Sequence, residues 1–372
     1  MRVMGSRIWN FRVVVLLLGL LLFSCGGDQG GAGSSTTDAT TGTTSAETTA
    51  AETTAAGETT TTAEEGGGEP EQTTLQIVVA PPEFDSLVDA LWIRNLEEAG
   101  ITVETVDFEF GPDTIRALAS GAGAIASTSP TPAMRFIQES GSAVKVIAAE
   151  LLNTDYILLV TEDIQSAEDL RGMKIGISEP GDISDSTTRL MLEGHPDLDI
   201  SDVEIVQIGG TGARIAALTA GEIQGGPVHA ADGLAAVEAT GTLHPLLNYW
   251  EFIPIYAQRY IVADPTWLTE NPNLAQLAID TLIDAQRQAQ EDKEGFVALG
   301  QELLPDMSVE IMESTYDFFR DGGFFAVNGG LEAIGPTNEA DLSIGLIDEI
   351  PPESDWLDPS FVEDYLARNG EQ

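Results

Sequence analysis

The chain has 372 residues, long enough for two or three domains. Its 61 acidic side chains face 16 basic ones, a formal net charge of -45 that repels phosphate backbones and argues against both nucleic-acid binding and adhesion to anionic lipid through a basic patch. A single cysteine rules out an intrachain disulfide and a cysteine-rich metal site, and 42% hydrophobic residues rule out disorder throughout.

Residues 1–24 carry Arg2, Arg7 and Arg12 and no acid, followed within the segment by 11 residues from Val13 to Phe23 without a charge. A spanning helix needs about 20 apolar residues, so this pattern reads as a secretory signal. Leu22-Phe23-Ser24-Cys25 resembles the lipobox of bacterial lipoproteins, which implies lipidation of Cys25 and an anchored mature protein. Residues 25–74 then form a spacer of Thr, Ala, Gly and Glu, with nine acids and no Lys or Arg. Such a stretch buries too little apolar surface to offset its ordering entropy, and is expected to be a disordered leash reaching on the order of 40 Å.

From Leu75 onward 52 acids face 13 bases, and strand-like runs alternate with amphipathic ones. Leu75–Ala80, Ile101–Phe108, Gly123–Ala126, Ala143–Ala149 and Tyr156–Thr161 read as strands, with helices at Ser86–Ala99, Asp113–Ser120 and Pro132–Ser140. The rhythm repeats with strands at Lys174–Ser178, Val203–Ile208 and Gly225–Val228 and helices at Ser184–Glu193, Ala213–Ala220 and Ala231–Thr240. After a strand at Tyr256–Ala263 the sequence is mostly helical. Alternation of this kind predicts an α/β protein with parallel sheets covered by helices and ligand sites at the strand carboxyl ends.

The run Ser166-Ala-Glu-Asp-Leu-Arg-Gly-Met-Lys-Ile-Gly-Ile-Ser-Glu-Pro-Gly-Asp-Ile-Ser-Asp185 resembles the substrate-binding lipoproteins of ABC importers, in the group that takes nitrate, sulfonates, taurine and thiamine precursors. Gly209-Gly210 with Arg214 to Gly221, and the tail Asp358 to Gly370, are similar to that family as well. The resemblance implies a two-lobed periplasmic-binding-protein type II fold that closes on a solute by hinge motion. Lobe one would be residues 75–158 with 258–372 and lobe two 159–257, with the strands Tyr156–Thr161 and Tyr256–Ala263 as crossings. It also implies delivery of the solute to an ABC permease and its ATPase, at the extracytoplasmic face of the membrane, with no cofactor.

Four loops would meet in the cleft under that resemblance. Phe84 is either a wall for the ligand or a staple on the following helix. Ser127, Thr128 and Ser129 open a helix, where hydroxyls and free N–H groups suit an anion as well as a plain cap. Gly181, Ile183, Ser184 and Asp185 open the equivalent helix of lobe two. An inward acid there, Asp182 or Asp185, would favour a cationic or hydrogen-bond-donating solute, and an outward one leaves the anion reading intact. His229 follows Gly226-Pro227, where the family usually has an Asp-Ala pair, and is a ligand contact or a structural residue. Trp250 and Tyr256 are candidates for stacking on a planar solute or for core packing.

Enzymatic readings have little support in the sequence. Lipidation would consume the cysteine, there is no Gly-x-Ser-x-Gly elbow, and the three histidines show no metal-ligand spacing. The alternatives to a receptor are an enzyme of the same fold resembling chorismate dehydratases, and a sensory lipoprotein.

Overall fold

The computed structural model describes residues 68–372 except Glu109 and Ser142. The expected signal segment, Cys25 and the spacer up to residue 67 lie outside the described residues. The first lobe opens with β1 (Thr74–Val79), α1 (Leu87–Glu98), β2 (Thr102–Asp107), α2 (Gly111–Ala119), β3 (Ile125–Thr128), α3 (Pro130–Ser140) and β4 (Lys145–Glu150). The second contains β5 (Tyr156–Thr161), β6 (Lys174–Ile177), α4 (Ile183–Gly194), β7 (Glu204–Gln207), α5 (Thr211–Thr219), β8 (Gly225–His229), α6 (Ala230–Thr240) and β9 (Leu243–Asn248). The chain then returns to the first lobe as β10 (Arg259–Ala263). It ends in helices α7 (Pro265–Glu270), α8 (Pro272–Glu291), α9 (Lys293–Leu303), α10 (Val309–Asp321), α11 (Leu331–Ser343), α12 (Glu353–Trp356) and α13 (Ser360–Asn369).

Two five-stranded sheets result, ordered β2-β1-β3-β10-β4 and β7-β6-β8-β5-β9. They are not wholly parallel as the alternation suggested. β1 pairs in parallel with β2 and β3, and β6 with β7 and β8, but β10 runs antiparallel to β3 and β4, and β5 to β8 and β9. The reason is the crossing. The parallel strands run toward the space between the lobes, whereas β5 and β10 arrive from the other lobe and start at that space. β5 lies in the second sheet from Tyr156 on, so that sheet begins ahead of the expected boundary at residue 159. β10 is shorter than the anticipated run, because Tyr256 to Gln258 still belong to the connection.

β5 shows why strands flanked on both faces read as continuous apolar runs. Tyr156 and Leu158 pack with Ile175, Met191 and Leu192 on one face, and Ile157 and Leu159 with Ala217, Leu218 and Val228 on the other. Leu158 and Leu159 are fully buried, each contributing about 1.5–3 kcal/mol relative to an exposed side chain. In the first lobe α1 lies on α8, where Trp92 Nε1 donates to the Ala278 carbonyl at 2.8 Å. β9 was not anticipated, since Pro245 interrupts its pattern; as the outermost strand of its sheet it tolerates the missing N–H. Glu71, expected in the spacer, accepts bonds from the N–H groups of Asn273 and Leu274, both at 3.1 Å, at the start of α8. Among the described residues no helix is long and apolar enough to cross a membrane.

Candidate functional site

The carboxyl ends of β1, β2 and β3 face those of β6, β7 and β8, and the loops that follow them enclose a cleft between the lobes. It is a narrow space open to solvent on one side, which suits a small solute and not a chain. The first lobe contributes Glu83, Phe108, Phe110 and the Ser127–Ser129 turn, with Gln258 and Arg259 at the start of β10. The second contributes Tyr156 at the start of β5, with Ser178, Asp182, Ile183, Thr211, Arg214 and His229.

One end of the cleft is cationic. Arg214 sits in the first turn of α5 and is 1% exposed. Its Nε donates to the Pro227 carbonyl at 2.7 Å, one terminal nitrogen to Gly209 O at 2.6 Å and the other to Thr211 Oγ1 at 3.2 Å. These bonds use three of its five N–H donors. Among the described residues no carboxylate lies within the 4.0 Å of an ion pair, so the charge is buried without a counter-ion. A buried charge of this kind is costly unless something neutralises it. The α5 N-terminus adds its own partial positive charge at the same place.

The opposite end is acidic. His229 closes β8 and caps α6, with a side chain 7% exposed. Its Nδ1 lies 2.7 Å from Asp155 Oδ1 and 3.7 Å from Asp85 Oδ1, and its Nε2 lies 3.2 Å from Glu83 Oε2. Burial disfavours a charged ring, but the Asp85 and Asp155 carboxylates outweigh it and hold His229 well above the usual imidazole range. Burial also opposes ionisation of Asp85, yet Arg259 and His229 prevail and keep its carboxyl low. Asp232, pressed by burial and by the Glu83 charge, is pushed up to about 7. Behind this layer Asp89 and Glu150 are both buried and both raised, first by burial, and for Glu150 next by the Asp89 charge. The Tyr156 ring lies between the two ends, 4.5 Å from the His229 ring and 5.9 Å from the Arg214 guanidinium carbon.

Besides the pairs of His229 with Glu83 and Asp85, two side-chain hydrogen bonds among the described residues cross from lobe to lobe. Ser129 Oγ donates to Asp182 Oδ1 at 2.9 Å, and Thr131 and Ser186 hydroxyls meet at 2.7 Å. Gly111, the first residue of α2, allows this approach: a Cβ there would lie 2.7 Å from Ser129 Oγ and 3.0 Å from Asp182 Oδ1.

Of the residues singled out from the sequence, Ser127, Thr128, Ser129, Ile183 and His229 line the cleft. The others are placed elsewhere. Phe84 is fully buried and meets Phe296 and Phe319 edge-on, because in the loop after β1 it turns into the core and leaves its neighbour Glu83 facing the cleft. Ser184 points back to accept from Ser178 N at 2.8 Å. Asp185 accepts from Gly181 N and Arg189 Nε, so it is the outward acid. Gly181 has a φ of +80° and lies against Arg135, away from the cleft. Trp250 packs on Phe318 at 4.3 Å, and Tyr256 donates to Asp341 Oδ1 at 2.8 Å behind α3. Asp182 is the inward acid, and it is occupied by Ser129 and Ser178.

Arg214, Tyr156, Glu83 and Arg259 were not anticipated as site residues. Arg214 left a trace in the sequence: a cation in the first turn of a helix opposes the macrodipole and calls for a local reason. The meeting of Glu83 and Asp85 with His229 left none, since spacing along the chain cannot show that the loop after β1 reaches the end of β8.

A family profile described as NMT1/THI5 like matches residues 96–293. No curated protein matches the sequence. Among solved structures, the periplasmic nitrate-binding protein NrtA from Synechocystis PCC 6803 is similar at a TM-score of 0.67 and 13% identity, over 81% of this chain and 90% of its own. The periplasmic aliphatic sulphonate binding protein SsuA from Escherichia coli follows at 0.60 and 17%, over 78% and 93%. The desulfurization enzyme DSZB is similar at 0.57 and 17%, over 80% and 99%. At these identities the likeness shows the fold, that of two-lobed type II periplasmic binding proteins, which two binding proteins here share with an enzyme.

Proposed function

This chain belongs to the NMT1/THI5-like family, and on that premise we propose that it is an extracytoplasmic receptor for a small oxyanion-bearing solute. The observation that carries the reading is Arg214, a buried guanidinium without a carboxylate partner that opens on the cleft beside the α5 N-terminus. An anionic group of the solute supplies the missing counter-charge, through the guanidinium and the N–H groups of the first turn. The acidic end, reached through Glu83, takes a hydrogen-bond-donating or cationic group. Among the nitrate, sulfonate, taurine and pyrimidine classes, an aminosulfonate of the taurine kind meets both demands. Tyr156 forms the wall between them.

The lobes close by movement of the two connections, Leu151–Asp155 and Tyr249–Gln258, and Ser129 and Thr131 fasten onto Asp182 and Ser186. Lipid on Cys25 and the Thr-rich spacer hold the receptor at the outer membrane face, within reach of an ABC permease whose ATPase supplies the energy. The reading needs no bond to be made or broken in the cleft.

A thermal-shift panel on the purified protein tests it, with nitrate, bicarbonate, alkanesulfonates, taurine, pyrimidines and simple amines. A true cargo at 100 times its dissociation constant adds about 2.7 kcal/mol of stability. Stabilisation by an anion-bearing member, with the solute recovered unaltered, supports the receptor. Conversion of the solute supports the enzyme. A response to simple amines alone removes the role given to Arg214.

A further inference from the structure

The acidic end of the cleft, given above to a hydrogen-bond-donating or cationic group of the solute, also holds a set of metal donors, and an ion bound there would stand in place of that group. Glu83 and Asp85 come from the loop after β1, and His229 comes from the end of β8 in the other lobe. One donor atom from each lies within 4.8 Å of the other two. Asp85 has a fully buried side chain whose Oδ2 accepts from Arg259, while its Oδ1 has no hydrogen-bond partner and lies 3.7 Å from the His229 ring. A buried carboxylate oxygen without a hydrogen bond loses its hydration without full return, which leaves a lone pair free for a coordinate bond.

We propose that Glu83, Asp85 and His229 form a site for a divalent first-row transition ion, of the zinc or manganese class. Metal bonds to imidazole nitrogen and carboxylate oxygen are about 2.0–2.2 Å long, which places neighbouring donors about 3.3 Å apart in a tetrahedral shell. Glu83 Oε2 and His229 Nε2 already stand at 3.2 Å, while Asp85 Oδ1, 3.7 Å from Nδ1, has to turn toward the Nε2 side, and binding releases the ring proton. Asp155 pairs with the other ring nitrogen at 2.7 Å, the arrangement in which a carboxylate orients a metal-binding imidazole. A donor set of one imidazole and two carboxylates, without thiolate, selects against copper(I) and against the all-oxygen cages of calcium. The Glu83 side chain keeps 38% of its surface exposed, which gives the ion a path in from the cleft. Three protein donors leave a further position for an oxygen of the solute.

The inference goes beyond the solute reading and is tested without any organic solute. The purified protein is stripped with a chelator, then titrated with zinc or manganese alone by calorimetry in about 0.5 M salt, which screens loose binding to the acidic surface. The expected result is one ion per chain and a raised melting temperature, with affinity at least tenfold lower in His229→Gln and in Glu83→Gln. Glu83→Gln alters a part-exposed carboxylate, so it keeps the measurement decisive if His229→Gln fails to fold. Absence of one-to-one uptake, or equal uptake by wild type and Glu83→Gln, overturns the site and leaves the receptor reading to its own panel.

Discussion

Arg214 shows how one side chain ties the fold to the site. Its three bonds hold the Gly209 turn, the middle of β8 and Thr211 in one arrangement, and its charge faces the cleft. Lysine cannot reproduce that fork. Arg214→Lys is therefore expected to cost about 1–3 kcal/mol in urea unfolding, by leaving buried carbonyls unbonded, and to weaken an anionic solute by at least tenfold in calorimetry. Asp341 gives a pH signature far from the donor cluster. Burial pushes its carboxyl up to about 6, against the hydrogen bonds from Thr131 and Tyr256. The native state thus keeps a proton that the unfolded chain releases near 3.8, and this group's contribution to stability falls as pH rises from about 4 to 6. The full effect is about 3 kcal/mol, so Asp341→Asn should flatten the melting-temperature profile across that window. At this scale the sequence was legible where a residue type had a local job: the Ser127-Thr128-Ser129 turn, read as a helix start, leads into α3 beside the cleft. It was opaque where burial decides, since Phe84 and Glu83 are neighbours and only the packed core tells which one turns inward.

Elements carry the closure. α3 and α4 bring their N-terminal turns together from opposite lobes, and Gly111 at the head of α2 leaves the space for the Ser129–Asp182 bond. Gly111→Ala is expected to push these side chains apart and to weaken solute affinity by about tenfold, the equivalent of roughly 1.4 kcal/mol. An unchanged affinity with an unchanged melting temperature would show that the bond takes no part in closure. The helix starts could be read from Ser-Pro and Gly-Asp signals, and the apolar strands from their β-branched runs. The direction of β5 and β10 could not. Pairing partners distant in sequence fix it, and the same runs would fit a parallel or an antiparallel sheet. β9 was hidden because an edge position forgives Pro245.

The whole molecule carries a formal charge of -45, which pushes the chain apart as well as keeping it soluble. Raising salt from about 0.01 M to 1 M shortens the Debye length from about 30 Å to 3 Å, so the melting temperature should climb over that range. A steady fall would mean that attractive pairs such as Arg259–Asp85 outweigh the repulsion. The two-lobed plan was legible because strand and helix alternate twice with a return between them. The polarity of the cleft was not, since its cationic and acidic ends are assembled from loops of both lobes. The central claim is that this cleft captures a solute through a buried cation at one end and leaves it unaltered. Calorimetric titration of the best solute from the panel into wild type and Arg214→Lys, with mass spectrometry of the recovered solute, tests it most directly. One solute per chain, bound at least tenfold more tightly by wild type and returned unchanged, is the predicted result; equal affinity in both proteins, or a converted solute, would contradict it.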